Sequence, residues 1–140
     1  MTAEAFLDTN ILIYAFAEDD VRAEIAERLL AAGGAVSVQV LNEFVAVARR
    51  KFEMPWPDVT DALDAIRQLC GEALPLTAAI HDAAVDIARR HGYRIYDAMI
   101  VATAMHNGCA TLYSEDMQDG RRFDLRITIK NPFAATSSGA

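Results

Sequence analysis

Short apolar stretches alternate with helical ones along most of this chain, and no other feature restricts its fold so tightly. Residues 5–7 read as a short buried strand, and the apolar run 11–16 opens a helix with Thr9 and Asn10 as candidate caps. A helix over about 20–32 stops at Gly33-Gly34, residues 35–38 form a second strand, and a third helix runs from about 40 to 51. Pro55 and Pro57 bracket Trp56 in a connection, after which Asp58 or Thr60 caps a helix reaching about residue 70. Residues 74–76 form a third strand, set at an edge by Pro75, and Thr77 caps an alanine-rich helix ending near Gly92. A further helix over about 96–106 ends at Asn107-Gly108, and strands follow over 110–113 and 126–129.

Strands separated by helices predict a three-layer α/β/α domain with a central, mainly parallel sheet of four to five strands. In such folds ligands bind outside the carboxyl ends of the strands. A chain of 140 residues with 53% hydrophobic content suits one domain, which at this length buries about two thirds of its unfolded surface. Residues 1–133 are read as that domain, without repeats or an internal linker, and 134–140 as a disordered tail.

Two cysteines, Cys70 and Cys109, are too few for a disulfide scaffold and form no metal-binding spacing, which fits a reducing cytosol. The N-terminus lacks a basic segment followed by an apolar run, and no stretch approaches the ~18 uninterrupted apolar residues of a membrane span. A cytoplasmic protein without a membrane partner is expected. The formal charge of −7 opposes nucleic-acid binding through bulk electrostatics. Several of the excess acids, however, belong to a candidate site. The basic residues cluster as Arg49-Arg50-Lys51, Arg89-Arg90 and Arg121-Arg122, read first as solvated helix ends, with RNA contact as the alternative.

Four acids sit where a strand gives way to a helix or on the helix that follows: Asp8, Glu43, Asp97 and Asp116. Two carboxylates ~4 Å apart repel by roughly 4 kcal/mol at an effective dielectric of 20, so a converging set needs a cation. Asp8 and Asp97 could each serve instead as helix caps. The helix after Asp97 is apolar nearly all round and must be buried, and Asp97 shares a face with Ile100, Val101 and Ala104. Glu43 lies at the border of its helix's apolar face, between Val40 and Val47, where a solvated boundary role is the alternative. Asp116 precedes a turn containing Asp119 and Gly120 and could belong to an ordinary polar loop. Taken together the four suggest an acidic pocket for a hard cation, Mg²⁺ or Mn²⁺, since its donors are oxygens. His81, His91 and His106 are scattered on helices and read as surface or packing residues, and Tyr93 and Tyr96 as packing rather than base-stacking residues.

At these positions the chain resembles PIN-domain ribonucleases, and most of all the VapC family, the toxins of bacterial type II toxin–antitoxin pairs. The resemblance rests on Phe-Leu-Asp8-Thr9-Asn10-Ile-Leu, Leu-Asn-Glu43-Phe, Tyr-Asp97-Ala-Met-Ile-Val-Ala-Thr-Ala, Ser114-Glu115-Asp116-Met-Gln-Asp119-Gly and the late Asn131-Pro132-Phe133. It spans about residues 4–133. Any one motif is weak, but all in this order and spacing are specific. The resemblance implies that Asp8, Glu43, Asp97 and Asp116 are catalytic metal-site carboxylates, with Asn10, Ser114 and, secondarily, Asp119 in support. It implies an endoribonuclease using Mg²⁺ or Mn²⁺ to activate water for in-line attack on an RNA phosphodiester, leaving 5′-phosphate and 3′-hydroxyl ends. A homodimer is implied too, as is an antitoxin whose C-terminal segment covers the groove, with an arginine standing where the metal binds.

Other acidic-pocket families fit less well. A receiver domain needs an aspartate ending its third strand, where this chain has Leu74-Pro75-Leu76-Thr77, and a haloacid-dehalogenase-like phosphatase needs a second Asp where Asn10 stands. The alternatives within reach are a PIN nuclease of RNA processing without an antitoxin and a non-catalytic PIN-fold binding module.

Overall fold

In the computed structural model, residues 4–17, 20–124 and 126–134 are described. Of the tail expected from residue 134, all but Ala134 lies outside them. Ala5–Leu7 forms strand β1, and the chain turns at once into helix α1, Thr9–Ala15. The cap is Asp8 rather than Thr9 or Asn10: its backbone is extended and its carboxylate accepts from the Thr9 amide at 2.7 Å. Helix α2, Ala23–Ala31, starts later than its acidic approach suggests, because Asp20 bonds the Arg22 backbone and guanidinium instead of capping a longer helix.

The second and third predicted strands shrink to single bridges, Phe6 with Ala35 and Ser37 with Leu74, both parallel. The cause is local. The Ser37 hydroxyl accepts from the Val40 amide and starts helix α3, Val38–Arg50, before a strand can extend. After Leu74, Pro75 has no amide to donate and pairing stops. Leu74 is nonetheless at the margin of the sheet, as Pro75 suggested.

Helix α4, Trp56–Cys70, begins before Asp58 and Thr60; it has Pro57 in its first turn and no side-chain cap. Thr77 does cap helix α5, Ala78–His91, which ends at Gly92 in the left-handed region. Helix α6, Ile95–His106, buries seven consecutive residues, Ala98 to Ala104, as its uniform apolarity requires. Strand β2, Thr111–Tyr113, follows. A short strand not foreseen, β3, Arg122–Phe123, pairs antiparallel with β4, Ile127–Lys130.

The sheet order is β1-β2-β4-β3, parallel except at β3, with helices α1 to α4 packed against one another and α5 packed against α6. This is the expected three-layer α/β/α arrangement, with four strands. Phe6, Leu7, Leu112 and Ile129 fill the sheet's core, and Phe133, fully buried, meets the Tyr14 ring edge-on at 5.2 Å. The two cysteines are unbridged. Among the described residues no helix is long and apolar enough to cross a membrane.

Candidate active site

Strands β1 and β2 run parallel and end side by side, Leu7 opposite Tyr113, so Asp8 and Ser114 leave the sheet together at its carboxyl edge. Ser114 Oγ donates to Asp8 Oδ2 at 2.8 Å and accepts from the Met117 amide, which shapes the loop carrying Asp116. Glu43 arrives from α3. Thr9 Oγ1 donates to its Oε2 at 2.7 Å and Gln39 Nε2 to its Oε1 at 3.2 Å. Gln39 Nε2 also donates to the Tyr96 carbonyl at 3.0 Å, joining α3 to the first turn of α6, which holds Asp97. Asp116 accepts from Asn10 Nδ2 at 2.7 Å. All four carboxylates, with Thr9, Asn10 and Arg50, line one pocket of about 250 Å³. A larger pocket of about 610 Å³ lies between α1, α3 and α4 and is mostly apolar; none of the four carboxylates lines it.

The charges in the smaller pocket are poorly compensated. Burial pushes the Asp8 carboxyl up to about 6; hydrogen bonds from Ser114 and Thr9 oppose that rise, while Glu43 and Asp116 add to it. Burial also raises Asp97, against the pull of nearby Arg94, with Asp116 and Glu43 again adding to the rise. The side-chain donors to these carboxylates, Ser114, Thr9, Gln39 and Asn10, are all neutral. Among the described residues none of the four carboxylates forms an ion pair.

The carboxylates line a common pocket without meeting at a point. Among the described residues no three acidic, histidine or cysteine side chains are grouped closely enough to hold a metal as they stand. Each bonded carboxylate is turned toward a neighbour: Asp8 to Ser114, Glu43 to Thr9 and Gln39, Asp116 to Asn10. In chemical type the set still fits a hard divalent cation, being oxygen donors of uncompensated charge with no histidine or cysteine in the lining.

Asn10 and Ser114 thus touch the carboxylates they were expected to support. Asp119 does not line the pocket; its Oδ1 accepts from the Asn131 amide at 2.8 Å and ties the loop to the end of β4. Tyr93 packs edge-on against Phe123, whereas Tyr96, 57% exposed, is not the packing residue expected. Sequence reasoning passed over Thr9 and Gln39 as partners of Glu43, though Gln39 stands four residues before it on the same helical face, which is a legible signal. It also missed a brace behind Asp116. Arg22 lies over the Tyr14 ring at 3.9 Å and pairs with Glu115 at 3.0 Å, and the Tyr14 hydroxyl donates to the same carboxylate. Nothing local links residues 93 positions apart.

The PIN domain family model matches residues 5–122. No curated protein sequence matches the chain. Among solved structures, it is similar to VapC20 of Mycobacterium tuberculosis, a sarcin–ricin loop cleaving toxin, at 26% identity and a TM-score of 0.65, covering 80% of this chain and 89% of that one. It is also similar to a toxin–antitoxin complex from Klebsiella pneumoniae, at 22% identity and a TM-score of 0.69, covering 91% of this chain and 97% of that one. The VapBC2 structure from Rickettsia felis, bound to a promoter DNA fragment, matches at 21% identity and a TM-score of 0.64, covering 91% and 97%. The latter two likenesses are of fold.

Proposed function

The chain belongs to the PIN-domain family, and from that membership we propose that it is a metal-dependent endoribonuclease acting as the toxin of a toxin–antitoxin pair. One observation carries the reading: Asp8, Glu43, Asp97 and Asp116, drawn from four separate stretches, line one pocket in which, among the described residues, the side chains that donate to them are neutral. The likeness to a toxin that cleaves the sarcin–ricin loop favours RNA as the substrate class, and the fold shared with toxin–antitoxin complexes favours an antitoxin partner. On the same reading it is a cytoplasmic homodimer whose residues 1–133 act as one nuclease unit; sedimentation that finds only monomer would remove the dimer.

Asp8, Glu43, Asp97 and Asp116 would hold Mg²⁺ or Mn²⁺, which when bound supplies the positive charge an anionic phosphodiester needs here and acidifies a water toward neutral pH. The chain's own residues do the rest. Ser114 and Thr9 orient Asp8, and Thr9 with Gln39 orients Glu43, so these two carboxylates are fixed by neutral donors that leave their charge intact. Among the described residues Asp97 makes no side-chain hydrogen bond, which leaves its oxygens the freest of the four to turn toward a cation. Asp116, exposed and steadied by Asn10, closes the pocket on the loop side.

The test is cleavage of total RNA by purified chain with Mg²⁺ or Mn²⁺, beside EDTA and a folded Asp8→Asn control. Metal-dependent cuts at a few sites, lost in both controls, are expected. Folded protein that cleaves nothing with either metal would favour a non-catalytic PIN-fold binding module.

A further inference from the structure

The 13 lysines and arginines of this acidic chain are unevenly employed. Arg22, Arg28, Arg67, Arg89 and Arg90 are all engaged in ion pairs at helices α2, α4 and α5. Among the described residues the other eight form none, and two of these eight stand out by their place: Arg50 and Arg94. Arg50, the last residue of α3, lines the pocket itself. Arg94 directly precedes α6, three residues before Asp97, and opposes the rise that burial gives the Asp97 carboxyl.

Arg121 lies further along the α6 side. Its guanidinium carbon is 5.6 Å from the Tyr93 ring centre and 5.2 Å from that of Phe123, and its Nη2 is 3.0 Å from His91 Nδ1. The Tyr93 ring that Arg121 faces belongs to the residue directly before Arg94, so the two arginines adjoin across one residue. A guanidinium held among aromatic rings, with no counter-carboxylate among the described residues, keeps its planar fork for a phosphate. A chain of net charge −7 cannot draw a polyanion by its overall field, so any grip on RNA has to be local. The exposed Tyr96 ring, beside Asp97, adds a π-face to which an unstacked base can bind.

We propose that Arg50 on the α3 wall, and Arg94 with Arg121 on the α6 side, form a track for the backbone phosphates of single-stranded RNA crossing the carboxylate pocket. The proposal rests on the nuclease reading and adds the residues by which the substrate is held. These arginines act on binding, not on the reacting phosphorus. Their loss therefore raises KM and weakens RNA affinity while kcat stays.

The experiment compares the native chain with Arg121→Gln, Arg94→Gln, Arg121→Lys and a control, Arg67→Gln, whose guanidinium pairs with Asp64 on α4. Steady-state cleavage is measured on an RNA the native chain cuts, and binding of a labelled mixed-sequence single-stranded oligoribonucleotide is followed across a salt titration. Arg121→Gln and Arg94→Gln are expected to raise KM and Kd roughly 5- to 10-fold and to lower the slope of log Kd against log salt by about 0.7 per lost phosphate contact. The Arg67→Gln chain stays native-like, and Arg121→Lys recovers only part of the loss because a lysine has no planar fork. For Arg121→Gln, kcat and Mn²⁺ affinity by titration calorimetry stay at native values. Should Arg121→Gln not fold, the exposed Arg94 decides. If the native chain cleaves RNA but neither variant moves KM, Kd or the salt slope, the track is overturned, the nuclease stands, and the arginines are left to a protein partner. If the native chain cleaves nothing, the nuclease reading falls and the track with it.

Discussion

Replacing Asp8 by asparagine should make this protein more stable at neutral pH, and by an amount that depends on pH. The carboxyl is 5% exposed, accepts from the Thr9 amide and the Ser114 hydroxyl, and has its ordinary value of 3.8 pushed up to about 6 by burial. A difference of roughly two pH units at 1.36 kcal/mol each makes the ionised folded state about 3 kcal/mol worse off than one with a neutral group there. Because the folded value is the higher one, the stability Asp8 contributes when protonated is present in full below 3.8. It is lost progressively as pH rises through about 6. Asparagine keeps the shape and the acceptor for Thr9 and never ionises; the Ser114 hydroxyl can accept from its amide. Urea unfolding in EDTA, at about pH 4.5 and about pH 7.5, should give Asp8→Asn an advantage of about 1 kcal/mol at the lower pH, growing toward 3 kcal/mol at the higher. Millimolar Mn²⁺ should narrow the gap by stabilising the native chain alone. An advantage that does not change with pH, or a variant less stable throughout, would refute the claim that an uncompensated buried charge sits at this strand end.

Three further outcomes follow from the same geometry. Thr9→Val removes the donor to Glu43 Oε2 in a side chain 7% exposed, and should weaken Mn²⁺ binding about tenfold with the circular dichroism unchanged; native affinity by calorimetry would count against Thr9 as a partner of Glu43. Gly34→Ala would bring a Cβ within 2.9 Å of Cγ of the fully buried Leu7, so thermal melts should show a loss of about 1–3 kcal/mol, and an unchanged melting temperature would contradict the close approach. Arg22→Gln breaks the brace over Tyr14 and Glu115, worth about 1 kcal/mol for a partly exposed pair, and should speed amide exchange at Ser114 to Met117; exchange at the native rate would show that the brace does not hold this loop.

The parts of the fold that could be read without coordinates are those decided within a few residues. Helix α6 announces itself because an all-round apolar helix has nowhere to go but the interior, and α5 because Thr77 and Gly92 mark both ends. The expected strands at 35–38 and 74–76 failed for equally local reasons that were underweighted: a capping hydroxyl on Ser37, and a proline directly after Leu74. Strand β3 was missed because two residues carry no periodicity, and it exists only by pairing with β4.

The four carboxylates were legible as a set because strand ends and helix starts place acids at one edge of a parallel sheet. Which groups hold them was not. Ser114 lies 106 positions from Asp8, Asn10 106 from Asp116 and Thr9 34 from Glu43, and the chain must close on itself before those hydrogen bonds exist. The linear order of residues thus carries the elements, the layers and the kinds of side chain brought to the sheet edge, since each depends on neighbours three or four positions away. The raised carboxyl of Asp8, the brace of Arg22 on Glu115 and the place of Arg121 against Tyr93 and Phe123 arise from packing, because burial and charge pairing are properties of space.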